Sequence, residues 1–150
     1  MVYYAVSACL AGICCRYVGG HGRRDDIYAL WCAGEALALC PEVLGGLATP
    51  RPLCEIVGSR VLTRTGEDCT AAYERGAHEA VRQALLCGCR VAVVQSRSPS
   101  CGVGRVYDGS FSRCLVTGEG LWVRALRAAG IRVVDAGQVP LLPRIDSTGR

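Results

Sequence analysis

The chain alternates between short, unbroken apolar runs and longer amphipathic stretches. Val2 to Ser7 is a compact apolar run that reads as a strand, followed by a glycine-containing loop from Gly12 to Gly22. A helix opens at Asp25 or Asp26, either of which is placed to cap it, and runs to about Glu35. Ala36 to Leu39 is a second apolar run that stops at Cys40-Pro41, and Gly45-Gly46 with the Pro50–Pro52 stretch marks a long loop. Ile56 to Thr63 reads as one strand with edge character. Thr70 to Leu86 carries the clearest helical pattern: Tyr73, Ala77, Ala80, Val81, Ala84 and Leu85 recur near a period of about 3.6, with Thr70 as N-cap and Gly88 as the stop. Arg90 to Gln95 is apolar through its middle, as a buried parallel strand should be, and opens into a Ser/Pro/Gly loop from Ser96 to Gly104. Gly118 to Gly130 contains a second helix, and Ile131 to Val134 a last strand.

Strands alternating with helices predict an α/β fold: one domain, a mostly parallel sheet flanked by helices, Rossmann-like. The domain is expected over residues 1–142, with 143–150 as a C-terminal tail. A length of 150 residues suits one domain. With 51% hydrophobic and 20% charged residues, the chain can bury a substantial core and is not of disordered composition. No apolar run is long enough for a membrane span and no secretory n-region opens the chain, so a cytoplasmic protein is expected. The net charge of +4 is carried by Arg, Lys being absent. No basic run and no aromatic-interleaved basic patch points to nucleic acid. Arg23-Arg24 is the sole Arg pair, and Asp25-Asp26 follows it at once.

Eleven cysteines change the picture. An odd count argues against a full set of internal disulfides, and in a reducing compartment such enrichment points to metal or catalysis. Three are placed for it. Cys9 follows the first strand, Cys40 ends the second apolar run, and Cys101 sits in the loop after the strongest strand. Sites in open parallel sheets form outside the carboxyl ends of the strands, so these three converge on one edge. Three converging thiolates suit a 4Fe-4S cluster with one iron left open, since four Cys ligands are usual. The residues alone leave that reading level with scattered core thiols and a redox pair. Cys14-Cys15, Cys32, Cys54, Cys69, Cys87, Cys89 and Cys114 read as ordinary buried or surface thiols. Cys87-Gly88-Cys89 lies at the wrong end of the sheet, and Cys14-Cys15 shares the loop of Cys9.

The residues also resemble a known family. Ser7-Ala8-Cys9-Leu10 with Gly12 and Cys15-Arg16-Tyr17, then Cys40-Pro41-Glu42 with Gly45-Gly46-Leu47 and Thr49-Pro50-Arg51, then Gly66, Asp68, Thr70 and Gly76-Ala77, then Ser98-Pro99-Ser100-Cys101-Gly102 and Tyr107-Asp108-Gly109, together resemble the DUF523 family over about residues 3 to 135. Its characterised members are thiouracil desulfidases. The resemblance implies a 4Fe-4S cluster on Cys9, Cys40 and Cys101. It also implies a non-redox conversion of 2-thiouracil to uracil and sulfide, with the substrate sulfur on the open iron and water attacking the thiocarbonyl carbon. Catalytic help is implied from Glu42 and Ser100. Ser98 is a further hydroxyl of this kind, expected at the substrate. Arg51 either binds a substrate oxygen or braces the Cys40 loop, with Glu55 as its expected ion-pair partner. His21 is a candidate lid over the site. In one departure, Val18 stands where the family pattern carries a carboxylate, so that acid is either lacking or supplied from elsewhere, with Asp25 and Asp26 as the candidate substitutes.

The expected partner is therefore a small thiolated pyrimidine, with no nucleic acid or membrane and with the protein a monomer or homodimer. Three other readings compete. One is a non-enzymatic iron-sulfur or hydrosulfide carrier. Another is a structural zinc protein, for which no CxxC pair is present. The third is a thiol redox enzyme using Cys87 and Cys89.

Overall fold

The structure is a computed structural model, and it describes residues 2–138. The expected boundary at 142 and the tail at 143–150 lie outside the described residues. In chain order the elements are β1 (Tyr4–Ser7), a 3-10 turn (Ala8–Ala11), α1 (Asp25–Cys32), β2 (Ala36–Leu39), α2 (Pro41–Leu44), β3 (Cys54–Val57), β4 (Arg60–Thr63), α3 (Thr70–Leu86), β5 (Val91–Val94), β6 (Arg105–Tyr107), β7 (Leu115–Thr117), α4 (Leu121–Ala128) and β8 (Arg132–Asp135).

The apolar runs do build the sheet. Four strands lie in the order β2-β1-β5-β8, all parallel, with Tyr4 opposite Ala36 and Val91 and with Val91 opposite Arg132. Both faces are covered, and for that reason the strands are apolar without alternation. Ala5, Ala92 and Val94 point to one face, against Ala77, Ala80 and Ala84 of α3 and Trp122, Val123 and Leu126 of α4. Tyr4, Val6 and Val93 point to the other, against Ile27 of α1 and the 3-10 turn. The α3 stripe is alanine, so that helix sits close on the sheet, while the bulk comes from fully buried Trp122 and Leu126 of α4. Burying each such large side chain contributes about 1.5–3 kcal/mol. Among the described residues, no helix is long and apolar enough to cross a membrane.

Several boundaries differ from the sequence reading. Ile56–Thr63 is not one strand. Gly58, at φ 62°, turns the chain, and β3 and β4 form an antiparallel hairpin apart from the main sheet. Residues after Cys40 form the short helix α2, with Pro41 at its first position, where a missing N–H costs nothing. The β6–β7 hairpin was not foreseen, because three-residue strands carry too little pattern. Asp25 and Asp26 lie in the first turn of α1 and Arg24 is its N-cap. For α3 the N-cap is Cys69, and Asp68 rather than Thr70 accepts the exposed N–H, that of Thr70, at 2.9 Å. Helix α2 crosses α3 backbone to backbone: a Cβ on Gly76 would lie 1.7 Å from the Pro41 carbonyl oxygen, and one on Gly45 would lie 2.0 Å from that of Ala72. That contact fixes the segment bearing Cys40 and Glu42 on the main body.

Candidate active site and metal centre

Three adjacent strands deliver the three expected cysteines. Cys40 follows β2, Cys9 follows β1 within the 3-10 turn, and Cys101 lies in the loop after β5. β1 and β5 flank the point where the chain changes direction across the sheet, the usual place for a crevice. A cavity of about 850 Å³ opens there, and Cys9, Cys40, Cys101, Glu42, Arg51 and Ser98 all line it. All eleven cysteines are free thiols.

Each thiol has a definite setting. The Ser7 hydroxyl accepts the Gln95 N–H at 2.9 Å and donates to Cys101 Sγ at 3.2 Å. With its acceptor side fixed, its proton has one direction to go. Ser98 Oγ accepts the Cys101 N–H at 2.7 Å, which shapes the loop around the sulfur. Burial pushes the Cys101 thiol up to about 12, against the pull of the Ser7 hydrogen bond. Cys15 is a fourth cysteine in the cavity, buried and in side-chain contact with both Cys9 and Cys40. Contact with Cys40 favours its thiolate, but contact with Cys9 and burial outweigh this and push it up to about 11. Contact with Cys15 and then burial raise Cys40 as well. In the metal-free protein the sulfurs of Cys15, Cys40 and Cys101 are therefore protonated at neutral pH, and loading a metal group on them releases protons.

The same logic fixes an alkaline limit. Burial pushes Cys54 and Cys101 up to about 12 and Cys89 up to about 11, and it raises the Tyr4 and Tyr73 hydroxyls. Such groups favour folding fully below their unfolded value, and the benefit is lost as pH rises through the folded one. The Tm of the reduced, metal-free protein should accordingly fall steadily between about pH 9 and 12; a flat Tm across that range would refute it.

Glu42 is held tightly. Its Oε1 accepts the Tyr73 hydroxyl at 2.8 Å and Arg51 Nε at 3.0 Å, and the ion pair is largely enclosed, with side chains 13% and 6% exposed. Arg51 also donates from Nη1 to the Ala48 carbonyl and Thr49 Oγ1, and from Nη2 to the Cys15 carbonyl. Four of its five N–H groups thus meet protein acceptors, and one Nη2 N–H is left over. Tyr73 was read as a core residue on a helical stripe; that its hydroxyl reaches Glu42 was invisible along the chain. Replacing it with Phe should lower stability by about 1.5 kcal/mol, the scale of a hydrogen bond to a charged group. Chemical denaturation beside the wild type measures this.

The remaining expected residues have these places. Glu55 does not pair with Arg51; it accepts N–H groups of Gly109 and Phe111 instead. Asp25 and Asp26 pair with Arg23 and Arg24 and are not on the cavity wall, so neither supplies the acid that Val18 replaces, and Val18 itself is 66% exposed. His21 accepts the Arg23 N–H through Nδ1 and does not line the cavity either. Ser100, next in the chain to Cys101, is buried, and its hydroxyl has no partner among the described residues. A buried hydroxyl left unmatched costs stability, so it asks for a bound group or water. Ser7 and Cys15 are site residues that the sequence reading passed over. The one signal for them was position: a polar residue closing an apolar strand, and a thiol in the loop of Cys9.

The donor set suits an inorganic cluster better than one ion. Among the described residues, no three His, Cys, Asp or Glu side chains stand close enough to hold a single metal ion. Thiolates are the usual ligands of an iron–sulfur cluster, and Cys9, Cys15, Cys40, Cys54 and Cys101 all line this cavity.

Such a sheet, with a thiol-walled crevice at its carboxyl edge and a carboxylate braced beside it, defines an α/β enzyme with a cysteine-lined site. The chain belongs to the 2-thiouracil desulfurase family of enzymes, whose model matches residues 4–138. The uncharacterized protein YbbK of Bacillus subtilis (strain 168) is 37% identical over 144 residues, which span 89% of this chain and 95% of that protein. Among solved structures, the 4Fe-4S-dependent thiouracil desulfidase TudS (DUF523Vcz) superposes with a TM-score of 0.87 at 44% identity, covering 93% of this chain and 94% of that one.

Proposed function

We propose that this protein is a desulfidase of thiolated pyrimidines, converting 2-thiouracil and water to uracil and hydrogen sulfide with no net electron transfer. A 4Fe-4S cluster on Cys9, Cys40 and Cys101 serves the reaction. The observation that carries this reading is the meeting of those three cysteines with the braced carboxylate of Glu42 around one cavity. When bound, the cluster supplies a thiophilic iron with an open position for the substrate sulfur.

The chain's own residues handle water and protons. Tyr73 and Arg51 occupy Glu42 Oε1, so Oε2 is the oxygen left to take a proton from the attacking water. A C–O bond forms, the C–S bond breaks, and the proton held on Glu42 is returned to the departing sulfur. Arg51 acts mainly as the positioning residue for Glu42, with one Nη2 proton left for a substrate oxygen. Ser98, on the cavity wall, offers its hydroxyl proton to the Cys101 sulfur or to the substrate. Ser100 holds its unmatched hydroxyl beside Cys101 to position a water. The protein works in the cytoplasm as a monomer or homodimer, on a small molecule rather than a nucleic acid.

The test is anaerobic reconstitution with iron and sulfide, followed by incubation with 2-thiouracil. Broad visible absorbance that bleaches on reduction should appear, and uracil and sulfide should then form in equal amounts. Cluster uptake without either product would overturn the reaction, and failure of uptake would overturn the ligand set.

A further inference from the structure

The cavity wall opposite in chemistry to the thiols is formed by Tyr17, Leu53, Tyr107, Phe111 and Leu115. Phe111 stands apart because its backbone is strained: φ is 57°, a left-handed conformation that bulky residues avoid and that costs on the order of 1–3 kcal/mol. Residues kept in that region are over-determined by their surroundings, and Phe111 is. Glu55, buried at 3% exposure on β3, accepts the Phe111 N–H and the Gly109 N–H, each at 3.1 Å. Arg64 donates from Nη2 to the Phe111 carbonyl at 3.3 Å, and its guanidinium carbon lies 5.8 Å from the ring centroid. Gly109, at φ 92°, lets the loop lie on β3, where a Cβ would come within 2.9 Å of the Ile56 carbonyl oxygen.

A buried carboxylate is costly, and this one is spent on two backbone N–H groups of a hairpin loop. Phe111 is only half-buried and its neighbours Ser112, Arg113 and Cys114 are exposed, so burial of these four residues does not set the loop conformation. What the conformation achieves is to set an aromatic ring on the wall of the reaction cavity. We propose that Phe111 is the stacking platform for the flat heterocycle of the substrate, preset by Glu55 and Arg64. This rests on the reading of the substrate as a thiolated pyrimidine. A ring held before the substrate arrives loses little entropy on binding, and stacking a base on an aromatic side chain is sequence-tolerant but demands planarity. The platform therefore selects aromatic thiocarbonyl rings over puckered ones.

The test compares 2-thiouracil with its 5,6-dihydro analogue, whose ring is puckered, on the cluster-loaded protein. Phe111→Leu keeps the Cβ and removes the ring. It should raise KM for 2-thiouracil about ten-fold with kcat nearly unchanged, leave KM for the dihydro analogue where it was, and be rescued by Phe111→Tyr. Glu55→Ala should raise KM similarly, and the double variant no further, because the two act as one unit. An unchanged KM for Phe111→Leu, or equal effects on both rings, would overturn the platform. If the loaded wild type releases no sulfide from 2-thiouracil, the reaction reading fails instead. Equilibrium dialysis of 2-thiouracil against cluster-free protein then decides the platform alone: about ten-fold weaker binding by Phe111→Leu supports it, and equal or absent binding refutes it.

Discussion

Glu42→Gln protein, reconstituted with iron and sulfide, should carry a full cluster and turn over 2-thiouracil about 100- to 10,000-fold more slowly than the wild type. The amide keeps an oxygen to accept from Tyr73 and Arg51, so the packing around α2 is preserved, but it cannot take a proton from water. Visible absorbance and iron content should match the wild type, while uracil formation collapses. Cys101→Ala supplies the contrast, since it should fail to retain the cluster at all. If Glu42→Gln turned over normally, the carboxylate would be only a brace. A protein that binds sulfide equally well with and without Glu42 and forms no uracil would be a carrier.

The second large effect concerns a residue with no reactive group. Gly76→Ala should destabilise the protein by about 3 kcal/mol or more. The added methyl would stand 1.7 Å from the Pro41 carbonyl oxygen and 2.9 Å from the Gly45 nitrogen, where backbone meets backbone and no side chain can swing aside. Helix α2 must move off α3, and it takes Cys40 and Glu42 with it, away from Tyr73. Cluster retention should fall along with stability. Gly34→Ala is the control: Gly34 has a positive φ of 74° but nothing within 4 Å of a Cβ, so the change should cost only about 1–2 kcal/mol of backbone strain. Urea denaturation of both variants checks the difference, and equal costs would refute the close-contact argument.

These two residues mark how far the sequence could be read. Glu42 is implied by the family resemblance, as the acid of the Cys40-Pro41-Glu42 block. The parallel sheet was found because strands buried on both faces must be apolar throughout, and β1, β2 and β5 are the most apolar runs of the chain. Once the sheet was parallel, the carboxyl-edge rule brought Cys9, Cys40 and Cys101 to one cavity. By contrast, Gly76 looked like an ordinary small residue in a helix. Tyr73 fitted the core stripe so well that its hydroxyl drew no attention. Glu55 was assigned to Arg51 because they are close in the chain, whereas it holds a hairpin loop more than fifty residues away.

The sequence by itself determined the fold class, the main-sheet strands and the long helix α3, and the sheet edge at which Cys9, Cys40 and Cys101 gather. Those follow from local hydrophobic pattern and from the rule that sites in open parallel sheets form outside the carboxyl ends of the strands. The tertiary structure alone decided which oxygen of Glu42 is free, which thiol touches which, and that Phe111 is held in a strained conformation at the cavity. These depend on where side chains distant in the chain meet, and the direction of a hydrogen bond or the closeness of two backbones leaves no periodic trace among the residues that make it.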